Sequence, residues 1–376
     1  MNKLPFRDYH LFHLLDAYEA QTLPLDLCIR DYFKQHKALG SKDRGFIAET
    51  AYAMIRWRSL LDYVCDQPHT WQQRYEAYLR TNLESIQQQQ DIPLPIRLSF
   101  PEELFQLIKN SYGIEKAMEL CRISNQPAPT TVRVNALKIT RAALMEQWAN
   151  RYQISPTKTS SEGIVFHEKI NFFELPEFKQ GFFEVQDEGS QLVAQLVNAK
   201  PGDLVLDYCA GSGGKTLAFA PKMQQKGQIY VHDIRLFALQ EARKRLKRAG
   251  IQNAQTLAPA SPHIEKLKKK MNWVLVDAPC TGTGTMRRNP DMKWKFTEQT
   301  LIRLVGQQRM IFEKALSFMH PEGRIIYVTC SILNEENQMQ LDHFLSTYQL
   351  KVEGSPFQVL PSPGGMDGFF GVVLKR

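Results

Sequence analysis

Gly202-Asp203-Leu204-Val205-Leu206-Asp207 runs without a break into Tyr208-Cys209-Ala210-Gly211-Ser212-Gly213-Gly214-Lys215-Thr216. A short apolar run ending in Asp reads as a buried strand, and the glycines that follow read as a tight turn opening a helix. That junction leaves few folds open, because a strand buried on both faces needs helices on both sides of its sheet. Further candidate strands lie at Gln228–Asp233, Ala254–Leu257, Trp273–Asp277 and Arg324–Thr329, alternating with helices near Ala238–Ala249 and Thr297–Met319. Together with Leu204–Tyr208 they make an α/β, mostly parallel, doubly wound sheet. Leu350–Glu353 and Phe369–Leu374 suit a hairpin at its edge.

Upstream the texture differs. From Leu11 to about Arg122 apolar residues recur at three- and four-residue spacing, as at Ile47, Ala51, Met54 and Ile55, which predicts an all-helical region. Gln87–Gln90 and the proline-containing Asp91–Pro95 read as a loop. Pro127 and Pro129 interrupt the helical pattern before the β-branched run Thr130–Asn135 and a helix near Thr140–Arg151, a small α/β connector. The expected division is therefore 1–126, 127–181 and 182–376, in keeping with a 376-residue chain too long for one ordinary core.

No segment offers the roughly 18 uninterrupted apolar residues of a membrane span. Lys3, Arg7 and Asp8 are not followed by an apolar run, so no secretory signal is visible and a cytoplasmic address is expected. The six cysteines form no CxxC pair, which argues against a disulfide framework or a metal site. A formal net charge of +8 suits a nucleic-acid partner. Oligomeric state is unreadable, with a monomer as the default.

The glycine-rich turn has three readings. A phosphate-binding P-loop needs GxxxxGK[ST], but Cys209 stands at the leading glycine position of a motif ending in Gly214-Lys215-Thr216. A dinucleotide fold wants GxGxxG, and after Gly211 and Gly213 the sixth position is Thr216. An adenosyl ligand without phosphates fits better, with Asp233 at the end of the next strand able to accept hydrogen bonds from a ribose diol.

Two cysteines follow neighbouring strands. Cys280 lies in Asp277-Ala278-Pro279-Cys280-Thr281-Gly282-Thr283-Gly284, and Cys330 in Tyr327-Val328-Thr329-Cys330-Ser331. Either alone reads as a small buried hydrophobe, but a pair at the carboxyl ends of strands beside a cofactor crevice reads as chemistry. Cytosine C5 is a poor nucleophile until a thiolate adds at C6 and makes C5 enamine-like, able to take a methyl from a sulfonium donor. A thiolate near neutral pH needs nearby positive charge, for which Lys215, Arg287 and Arg288 are candidates, and Asp277 could stabilise charge on the N3 and N4 edge of the base.

The run Asp277–Trp294 closely resembles the signature of the RsmB-like (Sun-type) RNA cytosine-5 methyltransferases. So do Val185–Gln191, Cys209–Thr216, Thr329-Cys330-Ser331 and Asp367-Gly368-Phe369-Phe370, an ordered set covering Pro129 to the C-terminus. The resemblance implies a class I, Rossmann-like methyltransferase domain, a NusB-like helical N-terminal domain that binds RNA, and S-adenosylmethionine as cofactor. It implies Cys330 as the residue attacking C6 and Cys280 as the one assisting release. It assigns Cys209, Ala210, Gly211, Ser212, Gly213, Gly214 and Lys215 to the methionine and adenosyl parts, Asp233 to the ribose, and Asp277 to the space between cofactor and base. RNA is the implied substrate, with ribosomal RNA favoured and tRNA open.

The chain departs from the family in lacking an acidic residue in Thr256–Ser261, where an adenine contact is usual, and in having Gly211-Ser212 where Ala-Pro is commoner. A DNA cytosine methyltransferase would use Cys280 as nucleophile, which Thr329-Cys330-Ser331 argues against. A silent assembly factor would not need both cysteines. Basic runs at Arg243–Arg248 and Lys266–Lys270 read as solvated faces, whereas Arg287, Arg288, Lys293 and Lys295, interleaved with Trp294 and Phe296, read as the RNA surface.

Overall fold

The structure, a computed structural model, describes residues 4–259 and 261–376. Lys3 of the N-terminal stretch and Ala260 of the run after the third sheet strand lie outside the described residues. The chain forms two compact units, one reaching to Pro127 together with Thr285–Glu298, the other comprising Ala128–Gly284 and Gln299–Arg376.

The first unit is helical from α1 (Phe6–Glu19) to α9 (Ile114–Ser124). In α3 (Ser41–Arg56) the expected apolar residues Ile47, Ala51, Met54 and Ile55 are all wholly buried. Each larger one stabilises by about 2 kcal/mol before chain entropy is subtracted. The glutamine run divides, Gln87 closing the helix Leu83–Gln87, and some of the expected loop after it is the short helix Leu94–Arg97.

The segment Thr285–Glu298 overturns one expectation. Lys293 and Trp294 do not form an open RNA surface but are built into the helical unit. Lys293 is 1% exposed, and its Nζ donates to Arg56 O at 2.8 Å and Asn125 Oδ1 at 2.7 Å. The Trp294 indole donates to Ile55 O at 2.7 Å, and Lys295 Nζ donates to Leu23 O and Asp291 Oδ2. Arg287 and Phe296 are buried as well. Amphipathic Lys and Trp side chains serve both purposes: a polar tip finds buried carbonyls while the stem fills apolar space.

In the second unit the connector is a four-stranded antiparallel sheet of β1 (Thr130–Val134), β2 (Ile154–Pro156), β3 (Gly163–Phe166) and β4 (Phe183–Val185), ordered β2-β3-β1-β4. Its helix α10 (Arg141–Trp148) is capped by the Thr140 side chain, which accepts from Ala143 N. Between β3 and β4 lies α11 (Pro176–Lys179), and after β4 comes α12 (Glu188–Ala194). The last connector strand lies beyond the expected boundary at 181, because β4 pairs with β1.

The large sheet follows. Its strands are β5 (Leu204–Asp207), β6 (Gln228–His232), β7 (Ala254–Leu257), β8 (Met271–Asp277), β9 (Met319–Thr329), β10 (Lys351–Val352), β11 (Phe357–Val359) and β12 (Phe369–Lys375). The order is β10-β12-β9-β8-β5-β6-β7, with β11 also on β12. Pairing from β9 to β7 is parallel, and β12 runs antiparallel to β9. Helices α13 (Gly214–Phe219), α14 (Leu236–Ala249), α15 (Glu298–Leu316) and α16 (Gln338–Tyr348) complete it. Separate apolar cores on its two faces explain the hydrophobic runs Leu204–Leu206 in β5, Trp273–Val276 in β8 and Ile325–Val328 in β9.

The helix expected to reach Met319 stops at Leu316. Lys269 N donates to Ser317 O, and Lys270 N and Met271 N to Phe318 O, which draws residues 317–319 onto the sheet and lengthens β9. At β5 the strand order reverses, with β6 on one side and β8 on the other, so a crevice opens at the carboxyl ends of these strands.

Candidate active site

The turn after β5 sits at that crevice. Gly211 and Gly213 have φ of 55° and 80°, the left-handed region that side chains resist, so both positions need glycine. Gly214 adopts no such angle and begins α13. Ala210 is buried, and its N donates to His232 O, which ties the turn to β6. The Ser212 hydroxyl and carbonyl both accept from Arg245. Arg133, wholly buried, donates to Gln186 Oε1 and Leu217 O, while Gln186 Nε2 donates to Gly214 O. The small sheet thereby props the turn.

Asp233, just past β6, accepts from Gly211 N at 2.8 Å, and Arg235 meets its carboxylate through the backbone N–H and the guanidinium. Burial opposes the charge of Asp233, but the bonds from Arg235 and Gly211 outweigh it and hold the carboxyl below its ordinary range. No acid follows β7 at Thr256–Pro259 or Ser261; Ser261 N instead closes a turn on Ala258 O.

Lys215 is 8% exposed, and its Nζ donates to Asp277 Oδ2 at 2.5 Å. Burial disfavours its charge, yet the charge and hydrogen bond of Asp277, with a further contribution from Cys330, raise its pKa. Its Nζ also lies 5.6 Å from the centre of the Phe369 ring. A lysine so committed is not offered to a phosphate, which agrees with the missing P-loop glycine. Cys209 stands between Asp207, Asp233 and Asp277; burial first, and then these carboxylates, push its thiol upward and keep it neutral.

Beyond β8 and β9 the two cysteines meet, Cys280 Sγ lying 3.4 Å from Cys330 Sγ. Strand register makes the encounter, since Asp277 pairs with Val328 and Ala278 N donates to Val328 O. Gly284 N donates to Cys330 O, and Gly368 N donates to Gly284 O. Thr283 Oγ1 accepts from Ile332 N and lies 3.0 Å from Ser331 Oγ. Asp187 Oδ1 accepts from Gly189 N and Asp367 N, so the motifs around Val185–Gln191 and Asp367–Phe370 close on each other. In this unit Lys215 is the expected cation whose charge interacts with Cys330, whereas Arg287 and Arg288 belong to the helical unit.

Sequence reasoning missed Glu336 and its neighbours. Glu336 accepts from Thr281 N and Oγ1 and from Gln308 Nε2, while Asn337 Nδ2 donates to Ser331 O and Asn337 Oδ1 accepts from Thr329 Oγ1. The polar cluster Asn334-Glu335-Glu336-Asn337, a few residues after Thr329-Cys330-Ser331, was the available signal.

Known proteins carry the same pattern. The family model described as "16S rRNA methyltransferase RsmB/F" matches residues 194–375, and the RsmF/B-like ferredoxin-like domain matches 100–172. A ribosomal RNA small subunit methyltransferase B of Proteus mirabilis is 31% identical over 78% of this chain and 71% of its own length. The chain belongs to the RsmB/F methyltransferase family. A probable methyltransferase B of Synechocystis is 28% identical over 78% of this chain and 70% of its own. In fold, the crystal structure of PH0851 matches 100% of this chain and 99% of its own at a TM-score of 0.81 and 22% identity. As an RsmB/F family member the chain is an S-adenosylmethionine-dependent RNA methyltransferase, with the class I sheet expected of one.

Proposed function

We propose that this RsmB/F enzyme methylates C5 of a cytosine in small-subunit ribosomal RNA, in the cytoplasm, through a covalent bond between Cys330 and C6. The observation that carries the reading is the 3.4 Å approach of Cys280 and Cys330 at the ends of adjacent parallel strands, beside the glycine turn. The relatives' names supply the ribosomal RNA.

The donor set suits an adenosyl sulfonium. The left-handed glycines at 211 and 213 bring backbone close to a ligand, and Asp233 offers carboxylate oxygens at the end of β6 once the half-exposed Arg235 releases them. Cys209–Lys215 would line the methionine and adenosyl moieties, and Asp277 would stand between cofactor and base. The cofactor supplies an electrophilic methyl group. Cys330, as a thiolate in the field of Lys215, adds to C6 and sends the electron pair toward C5. Asp277, held by Lys215, would accept a hydrogen bond from the N4 amino group and so orient the base for attack. Once C5 carries the methyl, a base takes its proton, the C5–C6 double bond re-forms and the pair of the C6–S bond returns to Cys330. Cys280 assists that departure. A target base must be unstacked to reach the pair, so looped or single-stranded RNA fits.

The chain would work as a helical region (residues 1–126), a connector (127–181) and a catalytic region (182–376), with Thr285–Glu298 serving the first. Transfer of labelled methyl to small-subunit rRNA, followed by nucleoside analysis, tests the reading. 5-Methylcytidine is expected; label on another atom of cytosine, or on another base, overturns it.

A further inference from the structure

The two cysteine loops converge on one buried carboxylate. Glu336 is wholly buried; Oε1 accepts from Thr281 N and Gln308 Nε2, each at 2.9 Å, Oε2 accepts from the Thr281 hydroxyl, and the Ser331 hydroxyl bonds to it too. Two of these donors, the Thr281 N–H and the Gln308 amide, cannot accept a proton in return, and hydrogen bonds of this kind favour the ionised carboxylate. Burial outweighs these donors and leaves the Glu336 carboxyl above its ordinary range. Thr281 adjoins Cys280 and Ser331 adjoins Cys330. One negative charge thus sits behind both loops.

We propose that Glu336 is a positioning residue that keeps Cys280 a protonated thiol with its S–H directed at Cys330 Sγ, leaving Cys330 as the member of the pair that ionises. The surroundings of the two sulfurs differ in the required sense. Cys280 is driven well above the ordinary thiol range by its hydrogen bond to Cys330, by burial, and by the charges of Cys330 and Glu336, against only a backbone bond involving Gly282. Cys330 shares an electrostatic interaction with Lys215. The other groups around Glu336 are neutral donors or distant: the Tyr327 hydroxyl donates to Gln308 Oε1 and to the Glu336 carbonyl, and Arg309 acts on Tyr327. An S–H donor beside Cys330 stabilises negative charge on that sulfur before attack and again when the C6–S bond breaks and its electron pair returns. The strand ends alone do not distinguish the two thiols, but Glu336 holds the Cys280 loop through both the backbone N–H and the hydroxyl of Thr281.

The inference rests on Cys330 as nucleophile, but its test needs neither RNA nor cofactor. Intact protein is alkylated with iodoacetamide across a pH series, and labelling at each cysteine is followed by peptide mass spectrometry. In the wild type Cys330 labels at lower pH than Cys280. In Glu336→Gln, Cys280 labels roughly three- to tenfold faster near pH 8, since each unit of fall in pKa raises the thiolate fraction up to tenfold while slightly lowering its nucleophilicity. Thr281→Val removes one hydrogen bond but keeps the charge, and leaves the Cys280 profile in place. An unchanged Cys280 profile in Glu336→Gln, an equal acceleration in Thr281→Val, or wild-type Cys280 labelling at lower pH than Cys330 overturns the inference. A covalent RNA adduct mapped to Cys280 would instead overturn the proposed function, whatever the labelling shows.

Discussion

Asp207, the last residue of β5, is the clearest case of an electrostatic burden in the fold. It is wholly buried; Oδ2 accepts from the Thr216 hydroxyl at 2.6 Å, while Oδ1 has no hydrogen-bond partner among the described residues. Burial, with the nearby charges of Asp277 and Asp233, raises its pKa from 3.8 to about 7 against the opposing Thr216 bond and Lys215. Below about pH 4 the carboxyl is protonated in both the folded and the unfolded chain. Between about pH 4 and 7 the folded state keeps a proton that the unfolded state has lost, so this contribution to stability declines as pH rises and is gone above about pH 7. From pH 5 to 8 the loss is roughly 2–3 kcal/mol, at 1.36 kcal/mol per pKa unit. Asp207→Asn can keep the Thr216 bond and carries no titrating proton. Urea denaturation of wild type and variant at pH 5 and 8 measures the effect. The difference in stability between the two proteins should move by roughly 2–3 kcal/mol in favour of the variant at the higher pH. A difference that is the same at both pH values refutes the reasoning.

Lys293→Met leaves Arg56 O and Asn125 Oδ1 without their donor inside the helical unit, and thermal melting should show a loss of about 2–4 kcal/mol; an unchanged or higher melting temperature contradicts this. A Cβ on Gly284 would stand 2.2 Å from Gly368 O and 2.8 Å from Cys330 O, so Gly284→Ala must separate the two cysteine loops. Methyl transfer by that variant should fall at least about tenfold, as expected when reacting groups are displaced by an ångström. Wild-type turnover would show that the loop spacing is unimportant. Asp233→Asn should weaken S-adenosylmethionine binding roughly tenfold or more by calorimetry, the usual worth of a hydrogen bond to a charged group, whereas an unchanged Kd would remove Asp233 from the ribose contact.

The parallel core of the sheet was legible because Leu204–Leu206 and Trp273–Val276 are continuous apolar runs followed by Asp207 and Asp277, and the turn because its glycines cluster just after the first of these runs. The first half of β9 was not. His320-Pro321-Glu322-Gly323 reads as a turn, and only pairing around Met271 makes it strand. The strands β2 and β3 are three and four residues long, too short for periodicity to register. At the site, the cysteines, Lys215 and Asp277 were named from chemistry and resemblance, yet the Lys215–Asp277 pairing emerged only in three dimensions. Glu336 escaped because a run of acids and amides such as Asn334-Glu335-Glu336-Asn337 ordinarily means solvent, and its burial depends on donors from Thr281 and Gln308, both far away in sequence. Lys293 and Trp294 misled for the opposite reason: composition does not distinguish a basic aromatic surface from a basic aromatic plug.

Covalent attack by Cys330 is the centre of the account, and trapping the adduct tests it most directly. Wild type, Cys280→Ala and Cys330→Ala are incubated with S-adenosylmethionine and cytosine-containing ribosomal RNA, denatured, and resolved by gel, with any adduct mapped by peptide mass spectrometry. Cys280→Ala should accumulate an RNA-linked species joined through Cys330, and Cys330→Ala should form none; an adduct in Cys330→Ala joined through Cys280 would contradict the account.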